Sequence, residues 1–559
     1  MTQHPLKFTL TLTLALSLLA CQAADTPRGA QTSVALPPSP GPDAAQPTAS
    51  LAEDNPQDEA PPNAAAKDEA APAADQGGGR GAEAACPPWP ARRLEPPTPT
   101  DALLPNGLAS AGVRADSAIL WARTSREGRL RAIVSAGPDC PEIKTPFVAT
   151  ERAQDRIVHI PVSGLTPGTL HRFLVEIEGH GLSSPAWFST APVGDKAALL
   201  AFSADVSGFA SEVPLLDDLV AAKPEIYLSL GDWPYADLFK DPTEEVDFLQ
   251  HYNASRQGDR VTRMTRSMPI HAVWDDHEII NDWDARYNKW NPDSLKVGTD
   301  IWRRWWPVAG APPGEIYRKY KWGDGLEVFH LDTRLHRDSN AAPFEGKSML
   351  GRPQRDWLLD GLAASTARFK LVITSVPLDF GKTFKDSWVG FVQERAMMLD
   401  HLRDKRITGV VFLTADQHWY ASHHLHGGAR QWQVGPLAYK TFKPIENPRP
   451  EVIVQGVGHN FGLLRYTPGP SATLTFEVHL TGKGAVYTET LREGAGLIRV
   501  KASSPAQRWR IEGAHRFVGQ GPAELPMAPP GAYTITWSAP SGASTSVELV
   551  AGAEVEFAP

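Results

Sequence analysis

EIYLSLGDWPY, residues 225–235, is the stretch whose reading decides the fold. Ile226, Tyr227 and Leu228 begin a short apolar run of buried-strand type, which ends at Gly231 with Asp232 directly after it. Glycine permits a tight turn there, so the aspartate stands just beyond the C-terminal end of the strand. The plan recurs on both sides. ALLAFSAD (198–205), MPIHAVWDD (268–276), EVFHLDTR (327–334), FKLVITS (369–375) and GVVFLTAD (409–416) are apolar runs that end in polar residues. Between them, SEVPLLDDLVAA (211–222), RDWLLDGLAAS (355–365) and QERAMMLDHLRD (393–404) carry apolar residues three or four apart, the helical spacing. Strands of this kind alternating with helices predict an α/β domain.

The C-terminal ends of the strands in such a sheet lie along one edge, where ligands bind. Asp205, Asp232, Asp275 and Asp276, Asp332 and Asp416 all fall there. One aspartate in that position is ordinarily a helix cap or turn residue. Five strands placing one in a single domain point instead to a cation, because clustered carboxylates repel one another. A site for two metal ions is expected. Asp416-Gln417-His418 puts two ligand types on one side of an extended segment, and Tyr235 returns three residues after Asp232. Oxygen-rich ligation favours hard ions such as Fe³⁺, Ca²⁺ or Mn²⁺, and a phenolate favours Fe³⁺.

These motifs resemble the calcineurin-like metallophosphoesterases, and among them the PhoD-like alkaline phosphatases. Gly231-Asp232 stands for the Gly-Asp block, Trp274-Asp275-Asp276-His277-Glu278 replaces Gly-Asn-His, Asp332-Thr333-Arg334 matches Asp-Thr-Arg, and Ala415-Asp416-Gln417-His418 stands for Gly-Asp-x-His. The resemblance covers about residues 100–490. One departure is plain: where the family commonly has Ser-Cys-Gln with a cysteine ligand to iron, this chain has Ser203-Ala204-Asp205. That is nearer to the purple acid phosphatases, whose Gly-Asp-x-x-Tyr spacing Gly231 to Tyr235 also fits. The resemblance implies a two-sheet αββα metallophosphoesterase sandwich preceded by a fibronectin-like β-sandwich. It implies Asp232 as a bridge between two ions, Asp205, Tyr235 and His418 completing an iron-like site, and Asp276 and Asp416 on the second ion. The ions would be Fe³⁺ plus a divalent ion (Ca²⁺, Mn²⁺ or Zn²⁺). A metal-bound hydroxide would attack phosphorus, with His277 protonating the leaving oxygen or stabilising phosphate and Arg334 clamping a phosphate oxygen. A structural salt bridge to Asp332 or its neighbours is the alternative for Arg334, core packing for Tyr235, and a backbone-held buried imidazole for His277. His271, His423, His424 and His426 read as ordinary surface or core residues. The tryptophans at 274, 283, 290, 302, 305, 306 and 322 are expected to pack under a long insertion, 279–325.

Outward from this domain the texture changes. SAILWART, RLRAIVSAG, RIVHIPVSG and TLHRFLVEIEG alternate apolar and polar residues between turn residues, so 98–193 is expected to be a β-sandwich and 194–492 the catalytic domain. Residues 451–492 return to strands, and 493–559 read as a small all-β domain with a turn at Pro529-Pro530-Gly531. Residues 22–97 are expected to be a tether: 22–85 hold no aromatic residue and ten acids against three bases. Such a composition buries too little apolar surface to offset ordering entropy. The net charge of −9 over 559 residues therefore lies mostly outside the folded part, and it argues against a nucleic-acid partner that needs a broad basic surface. Residues 1–21 read as a lipoprotein signal peptide: Lys7, an apolar run, and the ending Leu18-Leu19-Ala20-Cys21, with Cys21 the residue lipidated. The expected location is extracytoplasmic, anchored to a bacterial membrane at the periplasm or cell surface, as a monomer. Cys86 and Cys140 are either one disulfide or two separate thiols.

The function these readings favour is a phosphatase acting on phosphate monoesters. A phosphodiesterase or phospholipase-type activity on the same metal core is one alternative, and a non-catalytic lipoprotein binding the cell envelope is another.

Overall fold

The computed structural model describes residues 86–379, 386–425, 429–445, 452–493, 496–501, 507–513, 517–520, 522–528, 531–537, 544–549 and 554–557. The expected signal peptide and residues 22–85 of the tether lie outside them.

All six apolar runs are strands, divided between two sheets. Ala198–Ser203, Ile226–Ser229 and Ile270–Ala272 pair in parallel, and their sheet continues antiparallel through Asn460–Thr467, Thr473–Leu480 and Gly484–Arg492. Leu326–His330, Phe369–Ile373 and Val410–Thr414 form the parallel centre of a seven-stranded sheet, flanked by Arg318–Trp322 on one side and by Arg430–Gln433, Tyr420–His424 and Val452–Gly456 on the other. The two-residue period of a strand explains the unbroken apolar runs, since both faces are covered. Leu371, Ile373, Val411 and Leu413 share a core with Leu200 and Phe202 of the first sheet, and Trp432 stacks on Phe476 with ring centres 4.8 Å apart. Val372 and Phe412 point the other way, to Leu358, Leu362, Met398 and Leu402 on the helices Gly351–Ala364 and Val392–Asp404. The third expected helix is Leu215–Ala222.

Four helices lie outside the three that the apolar spacing predicts: Glu245–Ser255, Asp259–Thr265, Ala285–Trp290 and Pro292–Trp305. The last of them supplies Trp302 and Trp305 to the tryptophan core. Trp274, Trp283, Trp302, Trp305, Trp306 and Trp322 are buried as expected, but Trp290 is 68% exposed, because it ends a short helix whose residues are none of them buried. Arg256 ties this region to the N-terminal sheets. Its buried guanidinium lies 4.2 Å from the ring of Trp121 and 4.9 Å from that of Trp306, and it donates to the Trp305 carbonyl. Trp306 in turn donates from Nε1 to the Trp233 carbonyl at 3.1 Å, bracing the turn that carries Asp232.

The N-terminal part has a sheet of Leu108–Ala111, Ser117–Arg123 and Ile157–Ser163, and a second built on Gly128–Ser135 and Leu170–Ile177. Leu120 and Ile160 of the first share a core with Leu130 and Phe173 of the second. Residues 86–97 belong to this folded part, although composition groups them with the tether. Cys86 is bonded to Cys140, the Trp89 ring meets Trp187 edge-on at 5.5 Å, and Arg172 lies over Trp89 at 4.5 Å. A disulfide and one large aromatic residue supply the anchoring that the local composition lacks. At the other end, Ile498, Trp509, Ile511, Tyr533, Ile535, Trp537 and Phe557 gather a small separate β core. Pro529 and Pro530 of the expected turn lie outside the described residues, and Gly531 opens a strand.

Candidate metal centre

The loops after the strands converge as the topology requires. Asp205 follows Ala198–Ser203, Asp232 follows Ile226–Ser229, Asp275 and Asp276 follow Ile270–Ala272, and Asp416 and His418 follow Val410–Thr414. Asp205, Asp232, Asp416 and His418 have left-handed backbones, with φ of 61°, 55°, 69° and 61°. Such a conformation is uncommon away from glycine and persists where surrounding structure dictates it, often at functional sites. Two glycines clear space for these residues. A Cβ on Gly231 (φ 110°) would lie 2.7 Å from the Asp275 backbone nitrogen, and one on Gly435 (φ 106°) would lie 2.2 Å from Asp205 Oδ2.

One group comprises Asp205, Asp232 and His418, whose ligand atoms lie within 4.8 Å of one another. Tyr235 joins them: its hydroxyl is 3.0 Å from His418 Nε2 and 3.5 Å from Asp205 Oδ1. His418 Nδ1 faces the Lys440 carbonyl at 2.5 Å. A carbonyl can only accept, so the proton resides on Nδ1 and the lone pair of Nε2 faces the carboxylates, the tautomer a metal ligand requires. A second group comprises Asp232, Asp276 and His277, with Asp232 common to both. His277 Nδ1 is held by both oxygens of Asp237, at 2.8 and 2.9 Å. Asp416 enters neither group of three; it stands half-buried at the rim of the same cleft, bonded by its neighbour Gln417.

Arg334 does not face that cleft, contrary to its reading as a phosphate clamp. Its Nε donates to Asp275 Oδ1 at 2.6 Å, its two terminal nitrogens donate to the two oxygens of Asp386 at 2.7 Å, and Asp276 Oδ1 is 3.6 Å away. The side chain is fully buried, so its planar fork meets carboxylates of this chain and not a ligand. The geometry thus supports a structural salt bridge, but to Asp275 and Asp386 and not to Asp332, whose Oδ1 accepts from the Arg334 backbone. Asp275 Oδ1, which accepts from Arg334 Nε, also accepts from Ser375 Oγ at 2.7 Å, so it faces two protein donors. Asp332 Oδ1 accepts from Trp274 Nε1 and from the Arg334 and Leu335 backbones, which makes it a turn-fixing residue.

The electrostatics suit cations. Burial pushes Asp205 and Asp232 well above the ordinary carboxylate range, and neighbouring carboxylates add to the effect. Burial, then Asp232 and Asp205, push the Tyr235 phenol up in the same way. Burial lowers His418 to about 4, which keeps its imidazole neutral. Burial works against the charge of Asp276, but Arg334 and His277 hold it below its usual range. Asp205 Oδ2 and Asp232 Oδ2 are buried and have no hydrogen-bond partner among the described residues. Two orphaned carboxylate oxygens among a phenol and a neutral imidazole are a donor set that fits metal ions, since a cation satisfies the oxygens and removes the penalty on their charge.

Several residues of this neighbourhood lie outside the sequence motifs. Asp237 lies two residues beyond Tyr235, and Asp282 and Asp386 form a further acidic group with Asp276. Spacing from Tyr235 could have drawn notice to Asp237; Asp386 follows no strand and offered no signal. The cleft over the two groups measures about 480 Å³, and Tyr439, Phe442 and Lys440 form part of its wall. His271, His423 and His424 are buried outside it; His426 lies outside the described residues.

Residues 217–460 match the family model for PhoD-like phosphatase. Alkaline phosphatase D of Bacillus subtilis (strain 168) is 24% identical over 400 residues, which are 57% of this chain and 65% of that protein. The chain thus matches just under two thirds of this relative's length. Among solved structures, PhoD superposes with a TM-score of 0.60 at 17% identity, covering 83% of this chain and 96% of its own. A purple acid phosphatase from yellow lupin (Lupinus luteus) seeds superposes with a TM-score of 0.51 at 13% identity, covering 69% and 75%. The mixed α/β fold of this chain is therefore similar to both.

Proposed function

We propose, from the premise that residues 217–460 are a PhoD-like phosphatase domain, that this chain is a metal-dependent phosphoric ester hydrolase acting on phosphate monoesters. The observation that carries the reading is Asp232, shared between two ligand groups and left with a buried, unpartnered oxygen. Asp205, Asp232, Tyr235 and His418 would hold one ion, Fe³⁺ by virtue of the phenol. Asp232 and Asp276, with Asp416 from the rim, would hold a divalent ion, Ca²⁺, Mn²⁺ or Zn²⁺. Ions bound there supply an acidified water and charge neutralisation for phosphoryl oxygens.

The chain's own residues do the rest. Asp237 fixes the His277 ring through Nδ1, leaving Nε2 as the nitrogen that protonates a leaving oxygen. Arg334, bound to Asp275 and close to Asp276, acts as a positioning residue, and Asp386 holds the other end of its fork. The same reading takes 98–193 as a fibronectin-like sandwich before an αββα catalytic domain, 194–492, with a small β domain at 493–559. It takes 1–21 as a signal peptide and the residues after Cys21 as a tether to a lipid anchor outside the cytoplasm.

Metal analysis of the purified protein, run beside hydrolysis of aryl phosphate mono- and diesters, tests the proposal. Bound metal with monoester turnover supports it. Turnover of diesters alone would favour the diesterase alternative, and a metal-loaded protein that hydrolyses neither would leave a binding role.

A further inference from the structure

The segment after the strand Arg430–Gln433 builds one wall of the cleft. Leu437 and Ala438 donate from their backbones to the Ala204 and Asp205 carbonyls at 2.8 and 3.0 Å. Next to them, Tyr439 stacks on Tyr235 with ring centres 3.9 Å apart. The Lys440 carbonyl holds His418 Nδ1, and the Phe442 backbone N–H donates to the His418 carbonyl at 3.2 Å. The Phe442 ring stacks on the His418 imidazole at 4.7 Å, yet the residue remains 50% exposed. An apolar ring is thus fastened beside a candidate metal ligand with much of its surface open to the cleft. Lys440 and Lys443 line the same cleft and are exposed. Among the described residues neither lysine makes an ion pair, and Lys440 Nζ stands 5.8 Å from the Tyr439 ring centre.

Two ammonium groups that make no ion pair among the described residues, beside an exposed aromatic ring, favour a particular ligand. The metal groups account for the phosphoryl end, where carboxylates line the floor. The wall lies beyond them, where the leaving group would extend. We infer that the preferred substrate is a phosphate ester whose leaving group is planar and carries a negative charge of its own, with Phe442 stacking on the plane and Lys440 and Lys443 meeting the charge. The inference rests on the phosphatase reading and names the substrate class of that site.

Phenyl phosphate and 4-carboxyphenyl phosphate differ by a carboxylate at the far end of the ring. The test is the ratio of their kcat/KM values, charged over neutral, in the metal-loaded wild-type protein and in Lys440→Gln/Lys443→Gln. Comparing ratios between proteins cancels the intrinsic reactivity of each ester. The ratio is expected to fall by about fivefold in the double variant, the size that two exposed charge pairs produce. In wild type the ratio should also fall as salt rises from low to physiological strength, and in the double variant this dependence should flatten. The single variants, each with about a twofold loss, serve if the double variant folds poorly. Hydrolysis of both esters with the same ratio and salt dependence in variant and wild type would overturn this inference and leave the phosphatase reading intact. Absence of hydrolysis of either ester by the metal-loaded wild-type protein would overturn both.

Discussion

Asp386 offers the sharpest physical test of how the centre is held. It is 2% exposed and accepts four hydrogen bonds: from both terminal nitrogens of Arg334 at 2.7 Å, from Arg337 Nη1 at 2.6 Å and from Asn340 Nδ2 at 2.7 Å. Asp386→Ala removes the carboxylate and leaves both arginines buried. Arg334 keeps Asp275, but Arg337 is left with neutral partners: the Thr333 carbonyl, Asn340 Oδ1 and the Met349 sulfur. Burial, followed by the nearby Arg334 charge, already lowers the Arg337 pKa from its ordinary value. Breaking one side of a buried ion pair costs about 3–5 kcal/mol, because the remaining charge is uncompensated. Asp386→Asn keeps the size but turns an N–H₂ towards one arginine, so its loss should be intermediate. Urea unfolding followed by tryptophan fluorescence measures both. With a urea dependence of about 3 kcal/mol per molar, the Asp386→Ala midpoint should fall by roughly 1–1.7 M. A loss below about 1 kcal/mol, the scale of a surface pair, would refute the claim that this cluster is a closed, desolvated network.

Asp232→Asn should lower metal content and reduce turnover by more than ~100-fold, the upper end of what more distant partners of a metal site contribute; wild-type turnover in this variant would reject the shared carboxylate. Its metal-free form should unfold at no lower temperature than metal-free wild type, because the substitution removes a carboxylate that burial and its neighbours already disfavour. Tyr235→Phe should bleach a visible phenolate-to-iron absorption and weaken iron retention while changing metal-free stability by about 1 kcal/mol, the worth of one hydrogen bond; an unchanged spectrum and rate would return Tyr235 to core packing. Cys21→Ser should leave the protein unlipidated, released or as precursor, and mass spectrometry of the wild-type N-terminus checks the premise: an unmodified mature start elsewhere would overturn it.

What this chain's sequence determines by itself is what short range encodes. An apolar run covered on both faces reads as a buried strand, and an aspartate or histidine directly after it is carried to the sheet edge by the strand. That is why Asp205, Asp232, Tyr235, Asp276, His277 and His418 were legible and converge. The helices Glu245–Ser255 and Pro292–Trp305 were less legible, because the one mixes its polar and apolar residues and the other carries a glycine, Gly298, whose place against Phe248 is set by packing. Tertiary structure alone decided the rest. Arg334 looks like a phosphate ligand until Asp386, 52 residues away and after no strand, is seen to occupy its fork. Cys86 and Trp89 sit at the end of a tether-like composition, and only their partners Cys140 and Trp187 fold them in. The wall of Tyr439, Lys440 and Phe442 has no periodicity to read, since its place depends on hydrogen bonds to Ala204, Asp205 and His418. Local pattern records which side chains a strand presents at its end, whereas the direction of a charge and the partner it meets depend on contacts between segments far apart in the chain.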